Sequence, residues 1–310
     1  MTGASTPTTT APASSVLSDA LAIARYHIVL VAMVACVAFG WIETGERMLG
    51  VALVCGLDWF LVNLMNRITD IAEDSANGIA GTSRVARHRR ALTIFAIVLL
   101  VGSLVLVHLV WPALTPWRVA VQIIGLGYNY PIVPTPRGFS RFKEMYFWKN
   151  FGSSVLFVLT CFVYPLAVAE RTASWGTIVT LALFFVPFEL TYEILYDLRD
   201  LEGDRREGVP TYPVVHGPER ARQIIDGLLI ASTAVLVIGL ATGSIGAREG
   251  LMLAAPAIQL AFYRPRLKRG LTAHDCIVLT HLGSAQVALW IVGTYLWERA
   301  GLPANVYLVG

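Results

Sequence analysis

Charge is scarce in this chain, and so is anything that would staple it together. Only 15% of the 310 residues are Asp, Glu, Lys or Arg, against about 25% in an ordinary soluble domain. Hydrophobic residues make up 55% and the mean hydropathy is +0.62. That shortage excludes a cytosolic dinucleotide-binding enzyme and a disordered protein. Cysteine is equally sparse: Cys36, Cys55, Cys161 and Cys276 lie singly in apolar runs with no CxxC spacing. A disulfide scaffold is therefore excluded, and packing is the reading for these thiols. Residues 1–15 (MTGASTPTTTAPASS) carry no charge at all, so neither the basic start of a secretory signal nor the arginines of a transit peptide is present. Residues 1–20 read as a disordered tail, 21–300 as one membrane domain and 301–310 as a short C-terminal tail.

What the chain has instead is long apolar runs. Nine can be drawn, near 24–42, 48–68, 91–112, 114–132, 150–169, 174–196, 222–243, 248–264 and 274–297. Runs of about 20 residues cross a hydrocarbon core roughly 30 Å thick. Backbone groups in lipid must be satisfied internally, so these are helices, and the alternating ten-residue segments of a barrel do not occur. The expectation is an all-α polytopic bundle of nine transmembrane helices. Lys and Arg fix its orientation. Arg25 and the loops after the second, fourth, sixth and eighth runs hold 19 of them, and the other side holds only Arg47, Arg118, Arg171, Arg248 and Arg299. The N-terminus and the basic loops are expected in the cytoplasm, with the C-terminus opposite. No nucleic-acid partner is expected, and no oligomerisation signal is present.

The acids are gathered rather than spread. Asn66, Asp70 and Asp74 are spaced by four at the end of the second run, and Asp58 lies two turns earlier on the same stripe. Like charges at this spacing repel, so a bare helix gains nothing from them. Hard carboxylate and amide oxygens suit Mg²⁺; the plainer reading is a solvated helix end. The pattern returns after the sixth run, where Asp200 and Asp204 repeat the spacing and Asp197 lies one turn before. Both clusters belong to one membrane face. A cleft between them would hold divalent cations bridged by a diphosphate, whose departing charge the metals would neutralise.

Taken together, NxxxDxxxD, DxxxD and the helix count resemble the UbiA superfamily of intramembrane prenyltransferases. The stretch DLRDLEGDRREGVPTYPVVHG (197–217) is similar to its second aspartate-rich segment. Tyr128-Asn129-Tyr130-Pro131 with Lys149-Asn150, and Arg25-Tyr26-His27, resemble further family elements. The resemblance implies a helical bundle around a central cavity open to lipid. It implies that Asn66, Asp70, Asp74, Asp200 and Asp204, with Asp197 in addition, hold Mg²⁺-diphosphate. Lys143, Lys149 and Arg141 become candidates for direct diphosphate contact, with ordinary positive-inside charge as their alternative, and Arg25 is a further candidate. Two departures stand out. Arg67 replaces the Asp common after the motif Asn, and Tyr192, Tyr196 and Asp197 give YxxxYD in place of YxxxKD. A diphosphate-binding lysine is thereby missing, and Arg67 could supply its charge.

Glu189 and Glu193 lie at membrane depth within the sixth run. Ionisable groups there face a cavity or a partner. Glu189 either accepts a proton or steadies a carbocation, or it pairs with another helix; Asp58 has the same two readings. His274, Asp275 and His281 have neither metal nor triad spacing and read as satisfied polar groups. Tyr128, Tyr192, Trp148, Phe184, Phe185 and Phe188 could line a prenyl tunnel with π faces, or simply pack. The expected activity is Mg²⁺-dependent transfer of a prenyl group from an isoprenyl diphosphate to an aromatic or lipid-like acceptor within the membrane lipid. A terpene cyclase using the same metal site is the near alternative, and a transporter the distant one.

Overall fold

The computed structural model describes residues 16–76, 78–136, 138–302 and 308–309. Residues 1–15, most of the tail expected to be disordered, lie outside the described residues. The rest of that expected tail is helical. The first helix, α1 (Val16–Ala24), is held by Asp19, which is buried and pairs with Arg84 at 3.0 Å. The long elements follow as α2 (Tyr26–Thr44), α3 (Leu49–Thr69), the short α4 (Ile71–Ala76), α5 (Thr82–Val110) and α6 (Thr115–Asn129). A hairpin of β1 (Val133–Thr135) and β2 (Gly138–Ser140) leads into α7 (Tyr146–Val158), a π-helical turn over Leu159–Val163, and α8 (Tyr164–Val168). Beyond β3 (Thr172–Ala173) come α9 (Trp175–Glu207), α10 (Tyr212–His216), α11 (Pro218–Thr242), α12 (Ala247–Gly250), α13 (Ala254–Arg269) and α14 (Ala273–Arg299). Leu308–Val309 form β4 and pair antiparallel with β3.

The all-α polytopic class expected from the apolar runs is what the chain adopts. Each of the nine runs is helical, and among the described residues seven helical spans are long and apolar enough to cross a membrane. The other two are cut short. The fourth run stops at Asn129 because Tyr130, preceding Pro131, is extended at φ −123°, ψ 147°. The eighth starts with a 3₁₀ turn over Leu251–Leu253 and leaves only 16 residues of α-helix, about 24 Å.

Small residues set the centre of the bundle. Ala32, Ala35, Cys36, Ala38 and Gly40 on α2 are buried, which lets α2 pack closely on α3 and α14. At Gly56 a Cβ would stand 2.5 Å from the Met33 side chain of α2, so any larger residue would force Met33 to shift. Cys36, Cys55 and Cys161 are reduced and buried in this core.

Asp58 resolves toward packing. Its carboxylate accepts from Arg118 at 2.5 and 2.9 Å, from Gln122 at 2.9 Å and from Tyr164 at 2.8 Å, and both charged side chains are fully buried. Arg118 also donates to the Ser103 carbonyl at 2.8 Å. Arg118 is thus no loop charge; it fastens α3, α5, α6 and α8 from inside. Asp275 likewise caps α14 through Thr272 and pairs with Arg269 at 2.6 Å.

The sixth run does not end near residue 196. It continues as one 33-residue helix, α9, about 50 Å long. Roughly 20 Å therefore projects beyond a hydrocarbon core of roughly 30 Å, and Asp197, Asp200 and Asp204 ride on that projection. Pro187 lies inside the helix.

Candidate active site

The first acid cluster forms where α3 stops. Asp70 leaves the helical region at φ −100°, ψ 28°, yet its carbonyl still accepts from the Asp74 amide at 2.8 Å as α4 begins. Asn66, Asp70 and Asp74 therefore remain stacked across a break rather than on one continuous helix. All three are buried. Asp70 accepts from Asn66 at 2.5 Å and from Lys143 at 2.8 Å, with Arg141 3.4 Å away. Lys143 also holds Glu73 at 2.8 Å, and Arg141 holds Glu144 at 2.7 Å. The hairpin and the 3₁₀ turn over Phe142–Glu144 present these two cations. Arg67 is buried against Asp74 and donates to the Ala80 carbonyl at 2.5 Å, so it anchors the cluster from behind. Burial pushes the Asp74 carboxyl above its ordinary pKa, while Arg67 pulls it back.

The second cluster is carried by α9 and faced by α7. Asp197 has both oxygens engaged, one by Lys149 and one by Asn150 at 2.7 Å. Asp200 is clasped by its neighbour Arg199, whose guanidinium lies 4.8 Å over the Tyr196 ring. Asp204 Oδ2 is buried and accepts no hydrogen bond, with Lys149 Nζ 3.9 Å away. Among the described residues, no three His, Cys, Asp or Glu side chains converge tightly enough to hold a metal. The reason is visible in the pairing: a lysine or arginine stands against each motif aspartate in turn. The donors themselves are hard oxygens of the kind Mg²⁺ prefers, and the unpartnered Asp204 oxygen is available to one.

The two clusters face one another at one end of the bundle. Glu207 on α9 is in electrostatic range of Glu73, Asp70, Lys143 and Arg141. Arg25 stands between them. It is a left-handed residue (φ 45°, ψ 48°) at the α1–α2 junction, within range of Asp74 and Arg67 on one side and Tyr128 and Glu193 on the other. A side chain at positive φ is strained and persists where the surroundings enforce it. Tyr128 is likewise in range of Lys149 and Asp197. The structure thus brings together Arg25 of the α1–α2 junction with Tyr128, Lys149, Asp197 and Glu193 from α6, α7 and α9.

Glu189 and Glu193 extend the site inward. Ser153 lies 3.1 Å from Glu189 and 2.9 Å from Glu193, and Ser154 also donates to Glu189. These serines were not singled out from sequence, whereas Asn150 was noted beside Lys149 without a role. The available signal was a polar Ser-Ser pair inside an apolar run opposite two acids one turn apart. Tyr192 stands apart from this group. Its buried hydroxyl has no partner and points at Gly283 of α14, where a Cβ would be 2.8 Å away. Nearby, Phe39, Phe184, Phe185, Phe188 and Trp290 help to line an apolar cavity of about 280 Å³ between α2, α9, α13 and α14. Trp148 packs instead on Phe142 and Phe151.

Comparison with known proteins gives a consistent result. The profile of the UbiA prenyltransferase family matches residues 27–295. A digeranylgeranylglyceryl phosphate synthase from Haloquadratum walsbyi is 30% identical over 97 residues, 31% of this chain and 34% of that one. A synthase of the same name from Methanopyrus kandleri is 30% identical over 122 residues, 36% of this chain and 43% of that one. These matched stretches span well under two thirds of either relative. In structure, a UbiA homologue from Archaeoglobus fulgidus bound to GPP and Mg²⁺ superposes with a TM-score of 0.64 at 18% identity, covering 89% of this chain and 100% of that one. The apo homologue from Aeropyrum pernix K1 gives 0.62 at 14% identity, covering 88% and 98%. At such identities the likeness concerns the fold.

Proposed function

Because the chain belongs to the UbiA prenyltransferase family, we propose that it is an Mg²⁺-dependent intramembrane prenyltransferase working at the face where α3 and α9 end. The observation that carries this reading is the pairing of two acid clusters, one buried and one partly exposed, each neutralised by its own lysines and arginines. Asn66, Asp70, Asp74, Asp200 and Asp204 would hold the metal, which supplies positive charge to the leaving diphosphate. With the metal on these carboxylates, Lys143, Arg141 and Arg199 would be free to donate to diphosphate oxygens. Lys149 stays tied to Asp197 at the rim, and Arg25 spans the gap between the clusters. The site thus exchanges one set of ion pairs for another without burying unpaired charge. The A. fulgidus homologue with GPP and Mg²⁺ supports this choice of donor and metal.

The prenyl tail would enter the apolar cavity beside Phe184 and Phe188. For the acceptor, the relatives' names favour a lipid-like glyceryl phosphate over an aromatic ring. The basic loops would place this site in the cytoplasm. The test uses purified protein in lipid nanodiscs with Mg²⁺ and allylic diphosphates of several lengths. Prenylation of geranylgeranylglyceryl phosphate, with diphosphate released, is the expected result. Transfer only to an aromatic acceptor would change the acceptor class. Release with a hydrocarbon product and no acceptor would indicate a cyclase, and no release in any mixture would refute the enzyme.

A further inference from the structure

Ser153 has one hydroxyl hydrogen, and two carboxyl groups lie against it at 3.1 and 2.9 Å. An ionised carboxylate only accepts hydrogen bonds, and a serine donates only one. Were both acids ionised, that one hydrogen would have to serve two like charges at membrane depth. The arrangement is relieved when one of the acids carries a proton and donates it to Ser153 Oγ.

The surroundings decide which. Glu189 is the deeper of the two; its oxygens meet Ser153 and Ser154, and the Glu193 carboxyl lies within hydrogen-bond reach. No lysine or arginine pairs with it among the described residues. Glu193 lies one turn nearer the acid clusters, is only partly buried, and is in electrostatic range of Asp197 but also of two cations, Lys149 and Arg25, which Glu189 lacks. The proton belongs on Glu189 and the negative charge on Glu193. The hydrogen bonds then run one way, from Ser154 to Glu189, from Glu189 to Ser153 and from Ser153 to Glu193. They end on a carboxylate that shares its surroundings with Arg25, Tyr128, Lys149 and Asp197.

We propose that Glu193 is the proton acceptor of the transfer step, with Ser153 and neutral Glu189 as positioning residues. The inference rests on the prenyltransferase reading above. The allylic C–O bond breaks and its electron pair leaves with diphosphate. A lone pair on the acceptor hydroxyl oxygen forms the new bond to the allylic carbon. The O–H bond electrons return to that oxygen, and the proton passes to Glu193, which becomes neutral. Without this base the acceptor is a poor nucleophile, and the allylic cation is left to water, giving a prenyl alcohol.

The decisive quantity is a ratio: diphosphate released per acceptor prenylated, with geranylgeranyl diphosphate, Mg²⁺ and geranylgeranylglyceryl phosphate as the substrates. Removing a general base typically costs 10²–10⁴-fold in the step it serves. Glu193→Gln is expected to raise the ratio about a hundredfold, with prenyl alcohol making up the difference. A ratio unchanged from wild type, whether the rates stay high or fall together, overturns the proposal, because misfolding or weak donor binding lowers both products equally. A wild type that releases no diphosphate instead removes the prenyltransferase reading. The proton assignment has its own readout in infrared spectroscopy. Glu189→Gln should lower the protonated-carboxyl band by one group's worth, and an unchanged band contradicts the assignment.

Discussion

Removing either partner of the Asp58–Arg118 pair should destabilise the bundle, and the two removals should differ in a stated order. Breaking a buried ion pair from one side costs about 3–5 kcal/mol. In Asp58→Leu, a guanidinium that cannot lose its charge is left with Ser103 as its partner. The Gln122 amide and the Tyr164 hydroxyl also lose their acceptor. This change belongs at the upper end, about 5 kcal/mol. In Arg118→Met the remaining carboxylate keeps two neutral donors and can take up a proton, which places it near about 3 kcal/mol. For a chain of this size each kcal/mol moves the unfolding midpoint by about 2 °C. The expected shifts are therefore about 10 °C for Asp58→Leu and about 6 °C for Arg118→Met, read in one detergent at one scan rate. The double variant should lose clearly less than the sum of the singles, since no charge is then stranded. Additive losses, or Arg118→Met falling further than Asp58→Leu, would refute the account.

Asp70→Ala and Asp200→Ala should each abolish turnover while the protein still inserts and purifies as a folded species; full activity in either contradicts the metal assignment. Chelation with EDTA should stop diphosphate release, and added Mg²⁺ should restore it, as followed by phosphate detection after pyrophosphatase. Gly283→Ala places a Cβ 2.8 Å from the Tyr192 hydroxyl and should cost about 1–3 kcal/mol by overpacking. Tyr192→Phe, which removes the clashing oxygen, should recover most of that loss in the double variant, and a failure to recover would place the strain elsewhere.

The apolar runs made the helical bundle readable in advance, because lipid leaves the backbone no other choice. The aspartate spacings were readable for the same kind of reason: repulsion at i, i+4 has to be compensated by something. What the sequence did not display was which cation meets which acid. Arg118, counted from sequence among loop charges, turns inward to Asp58 because α6 starts within reach of it. Arg67, a candidate for diphosphate, is spent on Asp74 and the Ala80 carbonyl. Both outcomes depend on contacts across the bundle, 60 positions apart in the first case, and helical periodicity says nothing about those. Ser153 was overlooked because one serine in an apolar run usually bonds its own helix; its importance comes from two acids on another element. The length of α9 escaped for a different reason. Its projecting part is mostly charged, and hydropathy marks where lipid ends rather than where a helix does.

Pro187 gives that long helix a mechanical meaning. A proline inside a helix removes one backbone hydrogen bond and marks the point where bending is easiest. Asp204 stands 17 residues beyond it, about 25 Å along the axis. A change of roughly 10° at Pro187 would swing Asp204 by roughly 4 Å. Asp197, Asp200 and Asp204 would travel together on one rigid arm, while Asn66 and Asp70 stay with α3. Any bending at Pro187 would thus change the gap between the two acid clusters from deep in the membrane, with no change in the loops at its surface.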